Sequence, residues 1–185
     1  MKIPSKTDRI EFWKFAYARS SFVETIVFAE YLLASNVRME DLLRRAFSFA
    51  IITSYARPFK QREAVRLPED IVPPANAKTH GAIIEMRDQI VAHRDIDGPI
   101  SKDVGLVNLI EVIIASGSIN INTVSPIMSD EKTMDVLKLS KIMKEKMEYH
   151  LDKYYQKLKP LILEHSDGNY LLSIKDNPKE WLIRQ

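Results

Sequence analysis

The sequence predicts a single, mainly α-helical domain over residues 1–185, with a small β-hairpin insertion at 104–124. Three observations predict it. Apolar residues recur at helical spacing through four separate segments. Capping residues and prolines punctuate those segments where helices should start and stop. Only five glycines are present, which argues against a glycine-rich barrel or a Rossmann-type domain.

The first helix is predicted from a cap at Thr7 or Asp8, with Glu11 three residues after Asp8. Phe12, Phe15, Phe22, Ile26, Ala29 and Leu33 form its apolar stripe, and Ser35-Asn36 ends it. A second helix is expected from Met39 to Arg57, its stripe running through Leu42, Leu43, Ala46, Phe49, Ala50 and Ile52. Pro58 stops it, because the residue before a proline is pushed out of the helical region. Residues 60–76, with Pro68, Pro73 and Pro74, read as a connecting loop or a short irregular turn. Asn76 opens a third helix from Ala77 to Arg94, and Asp97-Gly98-Pro99 ends the segment after it.

Residues 104–124 change character. Val107, Leu109, Ile110, Val112, Ile113 and Ile114 are apolar and mostly β-branched. Ser116-Gly117-Ser118 signals a turn, after which Ile119, Ile121 and Val124 alternate with Asn120, Asn122 and Thr123. The pattern suggests a hairpin, although its first arm also fits a short buried helix. Ser129-Asp130-Glu131 starts a long fourth helix, lined by Met134, Leu137, Met143, Met147, Leu151, Tyr154 and Leu158 up to Pro160. Its lysines and glutamates read as a solvated face. The tail, with Tyr170-Leu171-Leu172 and Trp181-Leu182-Ile183, reads as packing or interface material.

Composition narrows the chemistry. Apolar residues make up 45% of the chain, enough for a hydrophobic core, and charged residues 28%. The absence of cysteine excludes disulfides, thiolate metal sites and a cysteine nucleophile, and fits a cytoplasmic location. The four histidines are scattered, so no metal site and no cofactor is expected. P-loop, G-x-G-x-x-G and G-x-S-x-G signatures are lacking. No signal peptide is expected, and no apolar run approaches the roughly 18 residues that would span a membrane. The net charge of +2 permits a nucleic-acid partner without demanding one.

The third helix carries the residues of interest. On a helical projection Ile83, Ile84, Ile90 and Val91 share a face, and His80, Arg87 and Arg94 fall along its centre. A guanidinium does not lose its charge, so an apolar setting demands a partner. Three arrangements satisfy it: an ion pair with an acid such as Glu24 or Glu30, a cleft that admits an anion, or an oligomer interface. His93 lies six residues after Arg87, about 120° away around a straight helix.

Arg87-Asp88, four residues, then His93 resembles the R-polar-x(4)-H form of the motif of HEPN domains, the higher eukaryotes and prokaryotes nucleotide-binding group. The similarity covers residues 39–97. It includes Ser54-Tyr55-Ala56-Arg57-Pro58-Phe59, the proline-bearing loop, and His80 ahead of the motif, and is nearest the abortive-infection-associated branch. The resemblance implies an up-and-down core of four to five helices that forms a homodimer, with the motif helices lining a shared cleft. It implies metal-independent endoribonuclease activity on single-stranded RNA, in a toxin, phage-defence or stress setting with an antitoxin or other protein partner. The alternative is a non-catalytic module that binds a nucleotide, RNA or a protein. By resemblance, His93 transfers the proton, Arg87 contacts phosphate and Asp88 orients one of them. His80 and Arg57 belong to the cleft wall, and Arg94 contacts the RNA backbone or makes a surface ion pair.

Overall fold

The computed structural model describes residues 3–35, 38, 42–62, 65–88, 110–115, 118–123, 127–175 and 181–185. Four α-helices dominate them: α1 (Lys6–Ala34), α2 (Leu42–Ala56), α3 (Ala77–Arg87) and α4 (Asp130–Ile162). Two small antiparallel sheets are added, β1 (Ile110–Ala115) with β2 (Ser118–Thr123), and β3 (Tyr170–Leu172) with β4 (Leu182–Arg184). The chain is therefore a mainly α bundle with a small hairpin, as its periodicity predicts.

α1 starts earlier than expected. Its cap is Ser5, not Thr7 or Asp8: the Ser5 hydroxyl accepts from the Asp8 amide at 3.1 Å and donates to the Asp8 carboxylate at 2.6 Å. A serine three residues before an acid satisfies two groups reciprocally, which a lone Asp8 cap would not. Ser35 closes the helix as the sequence suggests.

The long helices run antiparallel. Arg19 pairs with Glu148, Lys141 with Glu30 and Lys157 with Asp8, so α1 ascends as α4 descends. Phe28 and Tyr31 of α1 meet Phe47 of α2, while Glu24 meets Arg57, giving the same opposition between α1 and α2. The core gathers Phe22, Leu32, Ile51, Ile52, Tyr55, Leu139, Met143 and Met147, each fully or almost fully buried. Phe22, Tyr55 and Phe59 form its aromatic centre, with ring centroids 5.6–6.2 Å apart. Leu67 and Val72 also reach the core from the proline-bearing loop, whose described residues include short 3-10 turns such as Glu69–Ile71 and Pro74–Asn76.

Two expected stripes are corrected. In α2 the buried line is Arg44, Ser48, Ile51, Ile52 and Tyr55, whereas Leu42, Leu43, Ala46 and Phe49 are exposed. Arg44 takes the core position because it meets the loop ahead of α4. Its Nε and a terminal nitrogen both donate to the Met128 carbonyl, at 3.0 and 2.9 Å, and it also pairs with Asp130. In α4, Thr133, Val136 and Ser140 are buried and Met134 is 40% exposed. α4 packs against α1 along most of its length, from Lys141 opposite Glu30 to Lys157 opposite Asp8.

Proline boundaries are softer than expected. α2 ends at Ala56, and Pro58 sits inside a following 3-10 turn, Arg57–Phe59. α4 passes through Pro160 and ends at Ile162. A proline in the last turn removes one amide donor only, and the Leu163 amide still donates to the Lys159 carbonyl at 3.0 Å.

The hairpin occupies the predicted stretch. Ile110 pairs with Thr123, Val112 with Ile121 and Ala115 with Ser118, so residues 116 and 117 connect the strands. The tail pairs β3 with β4, Tyr170 opposite Arg184 and Leu172 opposite Leu182. Trp181 beside it is fully buried. Arg9, 2% exposed, donates to the carbonyls of Ser173 and Lys175, so the tail is tied to the first turn of α1. Asn36, Met39, residues 89–109, Ser116-Gly117 and Val124 lie outside the described residues.

Candidate functional site

α3 follows the 3-10 turn Pro74–Asn76 and turns His80, Ile83 and Met86 into the core. Ile84 is half-buried beside them. The expected line His80–Arg87 is therefore broken at its second member. Arg87 comes one turn after Ile83, at the end of the helix, where its side chain reaches the surface and is 25% exposed. Helix geometry puts it on the core face, yet among the described residues of that line it is the more exposed member.

Its partner is its own neighbour. An Arg87 terminal nitrogen donates to Asp88 Oδ1 at 3.0 Å. Lys60, three residues past Arg57, donates to Asp88 Oδ2 at 2.6 Å. One carboxylate thus bridges two cations from two elements, leaving a net charge of +1 at the surface. Burial raises the Asp88 pKa, but the bonds and charges of Lys60 and Arg87 outweigh it and hold it below the usual carboxylate value.

The acids expected beside Arg87 are engaged elsewhere. Glu24 pairs with Arg57 at 3.1 Å and accepts from the Ser54 hydroxyl at 3.3 Å. Glu30 pairs with Lys141 at 2.7 Å. Arg57 consequently belongs to the α1–α2 seam, while Lys60 from the same turn joins the α3 cluster. Sequence spacing alone does not reveal Lys60, since its meeting with Asp88 depends on how the turn folds back against α3.

His80 lies beneath the surface. It is 7% exposed, its Nδ1 is 3.0 Å from the Tyr55 hydroxyl, and its ring meets the Phe59 ring edge-on at 4.5 Å between centroids. Burial lowers its pKa; Glu69 opposes this and Lys60 adds to it. Burial also pushes the Tyr55 hydroxyl far up, so it stays protonated. The protonated hydroxyl and Nδ1 share one hydrogen bond, which engages one ring nitrogen and leaves Nε2 as the other. That atom is buried without a partner among the described residues. His93 and Arg94 lie outside the described residues, as do residues 89–94 of the expected third helix.

The arrangement can do one thing directly. Two cations held by a shared carboxylate can donate to a phosphate as well, because an arginine fork and an ammonium both donate to anionic oxygens. The surface groove of about 240 Å3 lined by Phe12, Glu148, Leu151, Asp152 and Tyr155 contains none of these residues. No group of three or more histidine, aspartate or glutamate side chains among the described residues is placed to hold a metal. No helix among them is long and apolar enough to cross a membrane.

No known family model, curated protein or solved structure matches this chain.

Proposed function

We propose that this chain is a HEPN-like, homodimeric, metal-independent endoribonuclease acting on single-stranded RNA, of the kind that serves as a toxin or defence factor. One observation carries the reading: Arg87 and Lys60 flank Asp88 at the surface end of α3, directly before the segment that contains His93. Cleavage of RNA without a metal requires a proton acceptor for the 2′-hydroxyl and cations for the phosphate. Arg87 and Lys60 supply the cations, and Asp88 sets the guanidinium's orientation. His93 supplies the proton relay, since an imidazole titrates near neutral pH. The family resemblance of the Arg87-Asp88 and His93 spacing supports the same roles.

The second reading is a non-catalytic module that binds a nucleotide, RNA or a protein. It is favoured by the same ion pair, because Arg87 is already satisfied by an acid of its own subunit. The test is degradation of single-stranded RNA by purified protein in EDTA. Under the first reading RNA is cut, and His93→Ala abolishes cutting while the helical circular-dichroism signal persists. RNA or nucleotide that binds and stays intact supports the second reading. Cutting that survives His93→Ala overturns the first.

A further inference from the structure

α2 is apolar on two sides. Its inner side meets the core through Ile51, Ile52 and Tyr55. Its outer side carries Leu42, Ala46 and Phe49 at helical repeat, with Leu43 alongside. Leu42 is 79% exposed, Leu43 50% and Phe49 37%. Tyr31 and Val27 of α1 continue the surface; both are more than half exposed, and the Tyr31 ring meets that of Phe47 at a tilt, 4.9 Å between centroids. A helix face turned to water is normally polar, so this one is an exception.

We propose that this α1–α2 face is the two-fold interface between two copies of this chain. The inference rests on the homodimer named above, but places its contact on α1 and α2 and not on the motif helix α3. Charge is the first argument. Between Leu42 and Ala56 the only charged residues are Arg44, which is buried, and Arg45. Arg45 falls about 60° off the line of Leu42 on the side away from α1, at the rim of the patch. On the α1 side of the face the half-exposed Glu24 and Arg57 neutralise each other at 3.1 Å. A second copy laid on the face by a two-fold axis therefore meets a surface whose exposed charges are paired or at its rim, as an isologous interface requires. Elsewhere the chain carries dense mixed charge, as along the outer face of α4, which would set like charges against like.

Area is the second argument. The exposed apolar side chains leave roughly 500 Å2 open, near the upper end for a monomer's largest patch. Two copies with their polar rims bring the buried total into the range of about 1,200–2,000 Å2 typical of stable interfaces. Tyr31, Phe47 and Phe49 supply the aromatic content such cores favour. The axis passes near Ala46, at the centre of the patch.

The test is sedimentation of the full chain at micromolar concentration. The wild type is expected to be a dimer, and Leu42→Glu with Phe49→Glu is expected to weaken it roughly 100-fold or more, as loss of central anchors does. The chain lacks cysteine, so a single-cysteine variant decides the matter if the charged variant fails to fold. Ala46→Cys should be joined to a second copy by a short bis-maleimide, and Lys138→Cys, on exposed α4, should not. A monomeric wild type overturns both this surface and the homodimer. A dimer insensitive to both glutamates, or one cross-linked no better through position 46 than through 138, overturns this surface and leaves the ribonuclease reading intact. RNA cleavage is scored separately, so failure of the catalytic reading leaves a positive result here standing.

Discussion

The Tyr55 hydroxyl lies 3.0 Å from Nδ1 of His80, a buried polar bond that joins α2 to α3 beneath the Lys60–Asp88–Arg87 cluster. Tyr55→Phe removes the partner while keeping the ring against Phe22 and Phe59. The expected loss is about 1–2 kcal/mol, the cost of leaving one buried imidazole nitrogen without its bond. Urea denaturation followed by circular dichroism measures it.

The same histidine sets a pH dependence. Its folded pKa lies below the ordinary value, so the unfolded chain takes up the proton first as pH falls. Stability should therefore decline below pH of about 6.5, where an unperturbed histidine titrates. His150 acts in the same direction, since burial against Phe15, with Lys146 and Lys153 nearby, also lowers its pKa. Denaturation midpoints at neutral and mildly acidic pH should fall in the wild type. The fall should be smaller in His80→Gln, with the residue of the effect assigned to His150. An unchanged slope in His80→Gln would refute the assignment.

Arg44 fastens α2 to the start of α4. Arg44→Met keeps the apolar stem but loses the bonds to the Met128 carbonyl and to Asp130. Asp130 is mostly exposed and can be hydrated, so the cost arises mainly at the buried carbonyl and should be about 2–3 kcal/mol. Arg44→Lys should recover only part of it, because one ammonium cannot reproduce the guanidinium fork.

Asp88→Asn tests the bridging carboxylate. It frees Lys60 and Arg87 and changes the local charge from +1 to +2. Under the proposed ribonuclease reading, RNA affinity should hold or rise, with a steeper dependence on salt. Cleavage should fall about 10-fold or more if orientation of Arg87 matters, since misplacement of a phosphate contact costs transition-state stabilisation. Filter binding and a cleavage assay on one preparation separate the two effects.

Arg9 holds the tail through two backbone carbonyls, without a carboxylate among the described residues. Arg9→Met should leave α1 and α4 intact while amide exchange across Tyr170–Leu172 and Leu182–Arg184 accelerates. Uniform acceleration throughout the chain would mean that the tail opens only with the whole bundle.

Element existence was legible in the sequence because it depends on local periodicity. α1, α2, α4 and the hairpin all lie where spacing and turn residues put them. Faces were less legible. Leu42 and Leu43 look like core residues and are exposed, whereas Arg44 looks like surface and is buried, because the carbonyl that receives it comes from residue 128. The candidate site behaves alike. Arg87 and Asp88 could be singled out from one helix, but Lys60 joins them only through tertiary folding, and Glu24 and Glu30 are held by Arg57 and Lys141. The β3–β4 pairing escaped because its two three-residue strands carry too little alternation to announce themselves.

The link from Arg9 to Ser173 and Lys175 spans 164 and 166 positions of the chain. A ribosome must deliver all of those intervening residues before that contact can close. During synthesis the first turn of α1 waits with an unsheltered guanidinium while the helices behind it assemble, and contacts of such long sequence separation are slow to form. Fastening of the tail should therefore be the late event in maturation, and a nascent chain halted before residue 173 should keep that end of the bundle open.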